Sequence, residues 1–239
     1  MPYNVSPFFK EYEELALKVD KIFQTIQSQC SKEVNCHIGC VDCCYALFDL
    51  SLIEAMYINH MFYQLLPEEE RKAALARADH ADRKNFKIKY RAHKSYKEGA
   101  ATDTILREVG KERVRCPLLA DDNTCLLYEH RPITCRLYGI PMSIGGEVHS
   151  CKHSSFEPGG KYPSVYVDTL QKRLLDITVR FVESIPTRFT KLPDVFVPLS
   201  MALLNDYTDE YLGIVEENSK QTTTPESIKD WTLGNPEGD

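Results

Sequence analysis

Residues 36–44 read Cys36-His-Ile-Gly-Cys40-Val-Asp-Cys43-Cys44, and the organisation of the chain follows from them. Four thiols crowded into one short loop are readily oxidised, so a run this dense points to a metal site. Soft thiolates at close spacing converge on one centre while the backbone folds back, and Gly39 supplies the freedom for that turn. In an extended chain the adjacent Cys43 and Cys44 side chains point to opposite sides. On that geometry the pair serves two centres, or one of the two stays unligated.

A second cysteine group lies downstream. Cys116-Pro-Leu-Leu-Ala-Asp-Asp-Asn-Thr-Cys125 continues through Tyr128, Arg131-Pro132 and Cys135-Arg136, and Cys151 follows. These thiols sit among turn formers, and Arg115, Arg131, Arg136 and Lys152 accompany them. Cations beside thiolates lower their pKa and offset the negative charge of a sulfur-rich site. The chain has nine cysteines. Cys30 falls on the apolar face of a helix and reads as a small buried residue. The candidate ligands are then Cys36, Cys40, Cys43, Cys44, Cys116, Cys125, Cys135 and Cys151, enough for two tetrahedral sites or for one cluster and another metal. His37 reads as a loop residue, while His149 or His153 can replace a thiolate. Asp49 reads as a turn or capping residue, with a supporting role at the site as the alternative.

Cys36-x3-Cys40-x2-Cys43-Cys44, Cys116-Pro-Leu-Leu and Cys125-x2-Tyr128-x2-Arg131-Pro132-x2-Cys135-Arg136 together resemble the YkgJ-type cysteine-cluster proteins, a family described as zinc- or iron-chelating. The resemblance implies Cys36, Cys40, Cys43, Cys44, Cys116, Cys125 and Cys135 as ligands; Cys151 lies beyond its firm pattern. The flagellin lysine N-methylases carry a similar cluster associated with iron–sulfur chemistry, which implies a protein or peptide substrate. Structural zinc sites usually come as paired C-x2-C knuckles, and this group is denser and less regular. An iron–sulfur cluster, 4Fe-4S in type, is therefore the expected cofactor, with zinc as the alternative. The spacing Cys36-x3-Cys40-x2-Cys43 is also that of radical S-adenosylmethionine enzymes. Those need repeated strand–helix units, and helical periodicity follows here instead.

The chain has 239 residues, 43% hydrophobic and 27% charged, and its 29 basic against 35 acidic side chains leave a net charge of −6. That balance is globular and lacks the field of a nucleic-acid binder. The opening MPYNVSPFFKEYEEL has no signal-peptide pattern. The most apolar run, LIEAMYINHMFYQLL, carries Glu54 and His60 and is too short to span a bilayer. The expected setting is cytoplasmic, without membrane contact, where thiols stay reduced and bind metal rather than pair. No phosphate loop, H-E-x-x-H or G-x-S-x-G motif appears. An enzyme, an electron-transfer or metal-handling module, and a binding protein with structural metal all remain open.

The frame is expected to be mainly α. Phe8, Tyr12, Leu15, Val19, Ile22 and Ile26 line one face of a first helix reaching Cys30. Ser51-Leu-Ile-Glu54 has the form of a capping box opening a helix to about Leu66. Pro67 and three glutamates open another that stops at Gly99. Shorter helices are expected over 102–113, from Val167 to before Pro186, and over 196–205, with a hairpin about Gly145-Gly146. The expected architecture is one helical domain over 1–215, wrapped around two irregular cysteine-rich segments (core 36–151), with a polar, mobile tail over 216–239.

These readings separate the ninth cysteine from the rest. Cys30→Ser is expected to leave metal content unchanged and to cost only about 1–3 kcal/mol for a buried hydroxyl. Cys40→Ser or Cys43→Ser is expected to lower both bound metal and stability. Metal analysis and denaturant unfolding of the three variants check this, and metal loss from the Cys30 variant overturns it.

Overall fold

The computed structural model describes residues 3–37 and 39–215, and the tail expected over 216–239 lies outside them. Among the described residues the fold is mainly α, with eight α-helices and five short strands. Helix α1 (Ser6–Gln29) buries Tyr12, Leu15, Ala16, Val19 and Ile26. The expected stripe holds except at Ile22, which is 37% exposed. Ile26 lies a heptad beyond Val19 and returns to nearly the same face, whereas Ile22 sits roughly 60° around the helix from Val19. Cys30 closes the helix, donating its N–H to Ile26 O at 2.8 Å, and its side chain is 7% exposed.

Strand β1 (Asp49–Ser51) leads into α2 (Leu52–Leu65). Every residue from Leu52 to Ile58 is buried, so α2 is the central helix, packed between α1, α6 (Val167–Glu183) and α7 (Leu199–Leu204). Helix α3 (Glu68–Lys97) follows Pro67 and ends before Gly99, whose φ of +87° supports the expected stop. It lays Ala74, Ala78, Ala81, Asn85 and Ile88 inward and packs mainly on α7, with its charges in water. Helix α4 (Thr102–Lys111) then returns the chain toward the second cysteine segment.

A short helix α5 (Ile133–Leu137) precedes the hairpin of β2 (Met142–Ile144) and β3 (Glu147–His149). Gly145 and Gly146 both have positive φ, the two-residue turn that suits antiparallel strand twist. Two residues, β4 (Val165–Tyr166), add a parallel third strand that is too short for alternation to reveal. The helix expected over 196–205 starts late. Residues Phe196–Pro198 form β5, antiparallel to β1, before α7 begins. Pro198 disfavours helical backbone at the residue before it, and it stands just ahead of the first helical position. A final turn, α8 (Asp209–Leu212), is capped by the Thr208 side chain.

The capping box does not form. Ser51 makes no side-chain cap, and its buried hydroxyl has no partner. Glu54 points elsewhere: its Oε1 accepts from Tyr12 Oη at 2.9 Å and from the Ile133 backbone N–H at 2.8 Å. This 3% exposed carboxyl caps α5 from the middle of the core. Burial raises its pKa, against the lowering influence of the Ile133 N–H, Tyr12 and Arg136.

Glu54→Leu strands the Tyr12 hydroxyl and the Ile133 N–H and is expected to cost about 1–3 kcal/mol for each group left unpaired. Because the folded pKa is raised, the folded state holds the extra proton between the ordinary value and the raised one. Stability therefore falls as pH rises through that window. Glu54→Gln removes this contribution. Denaturant unfolding of wild type and E54Q across pH 4–8 checks the sign; a wild-type disadvantage that grows on acidification overturns it.

Candidate metal centre

Four separate pieces of chain deliver the thiols. In the first, Gly39 takes a φ of +88° and residues Asp42–Tyr45 form a single 3-10 turn. Cys44 O then accepts from Cys116 N–H at 2.7 Å and Tyr45 O from Val114 N–H at 3.2 Å, joining the first loop to the second segment. From Cys116 the chain makes a tight return. Ala120 N–H bonds Thr124 O and Leu126 N–H bonds Leu118 O, both at 2.9 Å, and Asn123 adopts a left-handed φ of +65°. That return carries Cys125. Arg77 of α3 donates to Pro117 O at 2.9 Å and pins the same turn to the helical frame. Cys135 rides on α5, capped by Glu54. Cys151 comes after the hairpin, where Asn35 Nδ2 donates to His153 O at 2.7 Å and to Ser155 Oγ at 3.0 Å.

The result is one cavity of about 640 Å³ lined by Cys36, Cys40, Cys43, Cys44, Cys116, Cys125, Cys135 and Cys151. The two cysteine groups meet in it, and Cys30 stays outside. Cys36 donates its S–H to Tyr138 O at 3.3 Å. A Cβ at Gly139, where φ is +105°, lies only 2.1 Å from Cys36 Sγ, so the sulfur occupies the space that a side chain there needs. Cys43 and Cys44 sit in a 3-10 turn rather than in the extended chain from which their divergence was argued, and their sulfurs are 4.0 Å apart.

The residue that reading missed is Asp42, 7% exposed. Arg113 Nη2 donates to its Oδ1 at 2.5 Å and to its backbone oxygen at 2.9 Å. Tyr138 Oη donates to Oδ2 at 3.1 Å, and the Cys151 thiol stands 3.5 Å from the same oxygen. Lys152 Nζ and His153 Nε2 each lie 3.5 Å from Oδ1. Burial alone raises this carboxyl, but Arg113, Tyr138 and Lys152 together outweigh it and hold it below the usual range. An aspartate between cysteines is a signal that spacing rules for thiols ignore. Asp49, the acid singled out from sequence, instead pairs with Lys89 at 2.8 Å.

The accompanying cations divide their work. Arg131 lowers the pKa of Cys36, Cys43 and Cys125, and its guanidinium stacks 4.2 Å from the Tyr128 ring centre. Arg136 is 6% exposed and binds Asp20 together with the carbonyls of Glu129 and Arg131. It braces the α5 region. Arg115 straps the turn through the carbonyls of Leu119 and Ala120. Among the histidines, His37 lines the cavity, His153 faces Asp42, and His149 is exposed on β3 away from the cavity.

Burial dominates the thiols. It pushes Cys36 up to about 11 and Cys116 up to about 12, and it raises Cys125, Cys135 and Cys151. Cys43 departs from this trend, held at about 7 by its contact with Cys44, which is raised in turn. The donor set is soft and nearly uniform, which suits zinc and iron and fits no oxygen-seeking cation. As the side chains stand, no three His, Cys, Asp or Glu groups among the described residues close on one point as a single ion requires.

Residues 35–153 match the model of the CxxCxxCC family, described as "Putative zinc- or iron-chelating domain". The matched span contains all eight cavity cysteines and supports metal binding by a cysteine cluster, with zinc and iron both named. No curated protein and no solved structure matches the chain. No helix among the described residues is long and apolar enough to cross a membrane.

Gly139→Ala tests the geometry of the Cys36 corner. The added methyl displaces Cys36 Sγ and forces alanine into left-handed backbone. The expected cost is roughly 1–3 kcal/mol, with lower metal occupancy, read by denaturant unfolding and metal analysis. Unchanged stability and occupancy overturn the placement of Cys36.

Proposed function

We propose that this chain is a cysteine-cluster metalloprotein whose cavity thiols hold an iron–sulfur centre, and that the centre acts on a protein or peptide substrate. One observation carries the reading: eight of the nine cysteines, drawn from four separate pieces of chain, line a single cavity while the ninth is buried elsewhere. Chance burial of thiols scatters them through a core; convergence of this kind serves a shared ligand. Cys36, Cys40, Cys43, Cys44, Cys116, Cys125, Cys135 and Cys151 are the candidate ligands. Metal uptake would release the protons that burial keeps on Cys36, Cys116, Cys125, Cys135 and Cys151.

Iron–sulfur is favoured over zinc because the thiols come from irregular turns rather than paired knuckles, and multi-iron clusters accept more widely spread sulfurs than one tetrahedral ion. An active centre is favoured over a purely structural one by the rest of the cavity wall. Leu47, Phe48, Leu118, Pro198 and Leu199 extend it beyond the thiols into an apolar chamber, whereas structural sites are closed by their own ligands. The zinc-binding structural role is the alternative reading. The setting proposed is the cytoplasm, with no nucleic acid or membrane as partner.

Protein purified without oxygen is expected to carry iron and acid-labile sulfide, with visible charge-transfer absorption that bleaches reversibly on reduction. Stoichiometric zinc with a colourless spectrum overturns the iron–sulfur reading in favour of the structural one.

A further inference from the structure

The cavity has a part that the thiols do not build. Leu47 and Phe48 follow the first cysteine loop into it, Val114 and Leu118 come from the second segment, and Pro198 and Leu199 from the start of α7. Helices α3 and α7 set two polar residues in this apolar wall, Asn85 at 6% and Ser200 at 1% exposure. Ala81, one turn before Asn85 on α3, lines the cavity as well and packs with Val114. Asn85 Nδ2 donates to Ser200 Oγ at 3.1 Å, and Ser200 Oγ donates to Asp82 Oδ1 at 3.2 Å. That relay fixes the carboxamide. A carboxylate only accepts, so it takes the one hydroxyl proton of Ser200, and the Ser200 oxygen is left to accept from the NH2 group of Asn85. The spare end of the carboxamide is its oxygen, and Asn85 Oδ1 has no hydrogen-bond partner. Arg115 Nε, on a second lining residue, is likewise unpartnered. Buried groups of this kind destabilise a fold, and native interiors pair nearly all of them. An acceptor and a donor left over on the wall of one cavity mark a place where a ligand completes the pairing.

We propose that the apolar part of the cavity is a binding subsite for an uncharged amide, with Asn85 Oδ1 accepting its N–H and the surrounding wall enclosing the group the amide carries. This rests on the reading of the cavity as an active centre and names the chemistry that its substrate presents there. The orphaned oxygen selects a donor, so a carboxylate, an ester or a tertiary amide gives it nothing. An ammonium group is disfavoured for a different reason. Apart from the thiols, the charged side chains lining the cavity among the described residues are Arg115, Arg131 and Arg136, all cations, and an apolar wall offers a buried ammonium no counter-charge. A neutral amide brings a donor and an acceptor together, the two partners that the wall lacks. Main-chain amides and side-chain carboxamides share this chemistry. Ser200 acts as a positioning residue, since its bond to Asn85 is what turns the carboxamide oxygen away from the relay.

Full-length protein purified without oxygen, titrated with benzamide, N-methylbenzamide and methyl benzoate and followed by ligand-observed NMR, tests the subsite. Methyl benzoate has nearly the shape of N-methylbenzamide but no N–H. The better amide is expected to bind about tenfold more tightly than the ester, the worth of one buried hydrogen bond. Binding of N-methylbenzamide assigns the subsite to a main-chain amide, and binding of benzamide alone assigns it to a side-chain carboxamide. Asn85→Leu is expected to erase the preference for amide over ester while the protein melts no lower than wild type, because the orphaned acceptor is gone. The wild-type ranking decides even if that variant misfolds. Equal affinity for amide and ester, no binding of any probe, or a preference that survives Asn85→Leu overturns the amide subsite, and an iron–sulfur spectrum in the same sample leaves the metal reading standing. A colourless zinc protein that keeps the amide preference overturns the active centre and leaves the subsite.

Discussion

The cysteine cavity depends on one buried carboxylate. Asp42 lies between Cys40 and Cys43 on the first loop, and its contacts reach Arg113, Tyr138, Cys151, Lys152 and His153. Those residues come from the three segments that must close around the loop for the thiols to share a cavity. A buried ionised group is costly unless paired and hydrogen-bonded, so the fold can place Asp42 there only by bringing all its partners. The constraint works in both directions. Satisfying one carboxylate fixes the relative positions of segments that sequence separates by about a hundred residues, and the thiols they carry follow.

A second buried carboxyl does the same for the helical frame. Glu54 belongs to the buried N-terminal half of α2 and accepts from Tyr12 of α1 and from the first N–H of α5. A five-residue helix is too short to stand alone. Its orientation, and with it the position of Cys135, is set by this contact with the core and by Arg136 bracing the turn before it. Cys135 thus inherits its placement from α1 and α2.

The long-range pattern was legible in the sequence where periodicity is long or a residue type is unambiguous. The stripe of α1, the run of α2, the stop at Gly99, the Gly145-Gly146 turn and the separation of Cys30 from the other thiols all follow from side-chain repeat or backbone freedom. Three premises failed for local physical reasons. Ser51 and Glu54 have the spacing of a capping box, but a glutamate in a fully buried first turn meets tertiary donors that outcompete the local one. Cys43 and Cys44 diverge only in extended chain, and the 3-10 turn of Asp42–Tyr45 removes the premise. Pro198 delays the start of α7 because the chain before a proline prefers to be extended. Asp42 was invisible to a ligand search organised around thiols, since its role arises from partners scattered along the chain.

The loops also contribute more packing than turn-rich sequence suggests, and this bears on what metal does for the fold. Leu118, Leu127, Ile133, Leu137 and Ile140, all from the second cysteine region, are almost fully buried in the main core together with Tyr12, Phe62 and Phe181. Side chains anchored this way hold the segment whether or not the thiols are ligated. In small zinc modules the metal supplies most of the folding energy, and the apo chain unfolds. Here an apolar core already places the thiols, and burial keeps most of them protonated and neutral. Metal binding then exchanges protons for a cation within a scaffold that is largely preformed, so its structural effect concentrates on the thiol side chains. A site of this kind can gain, lose or exchange metal without the chain losing its fold.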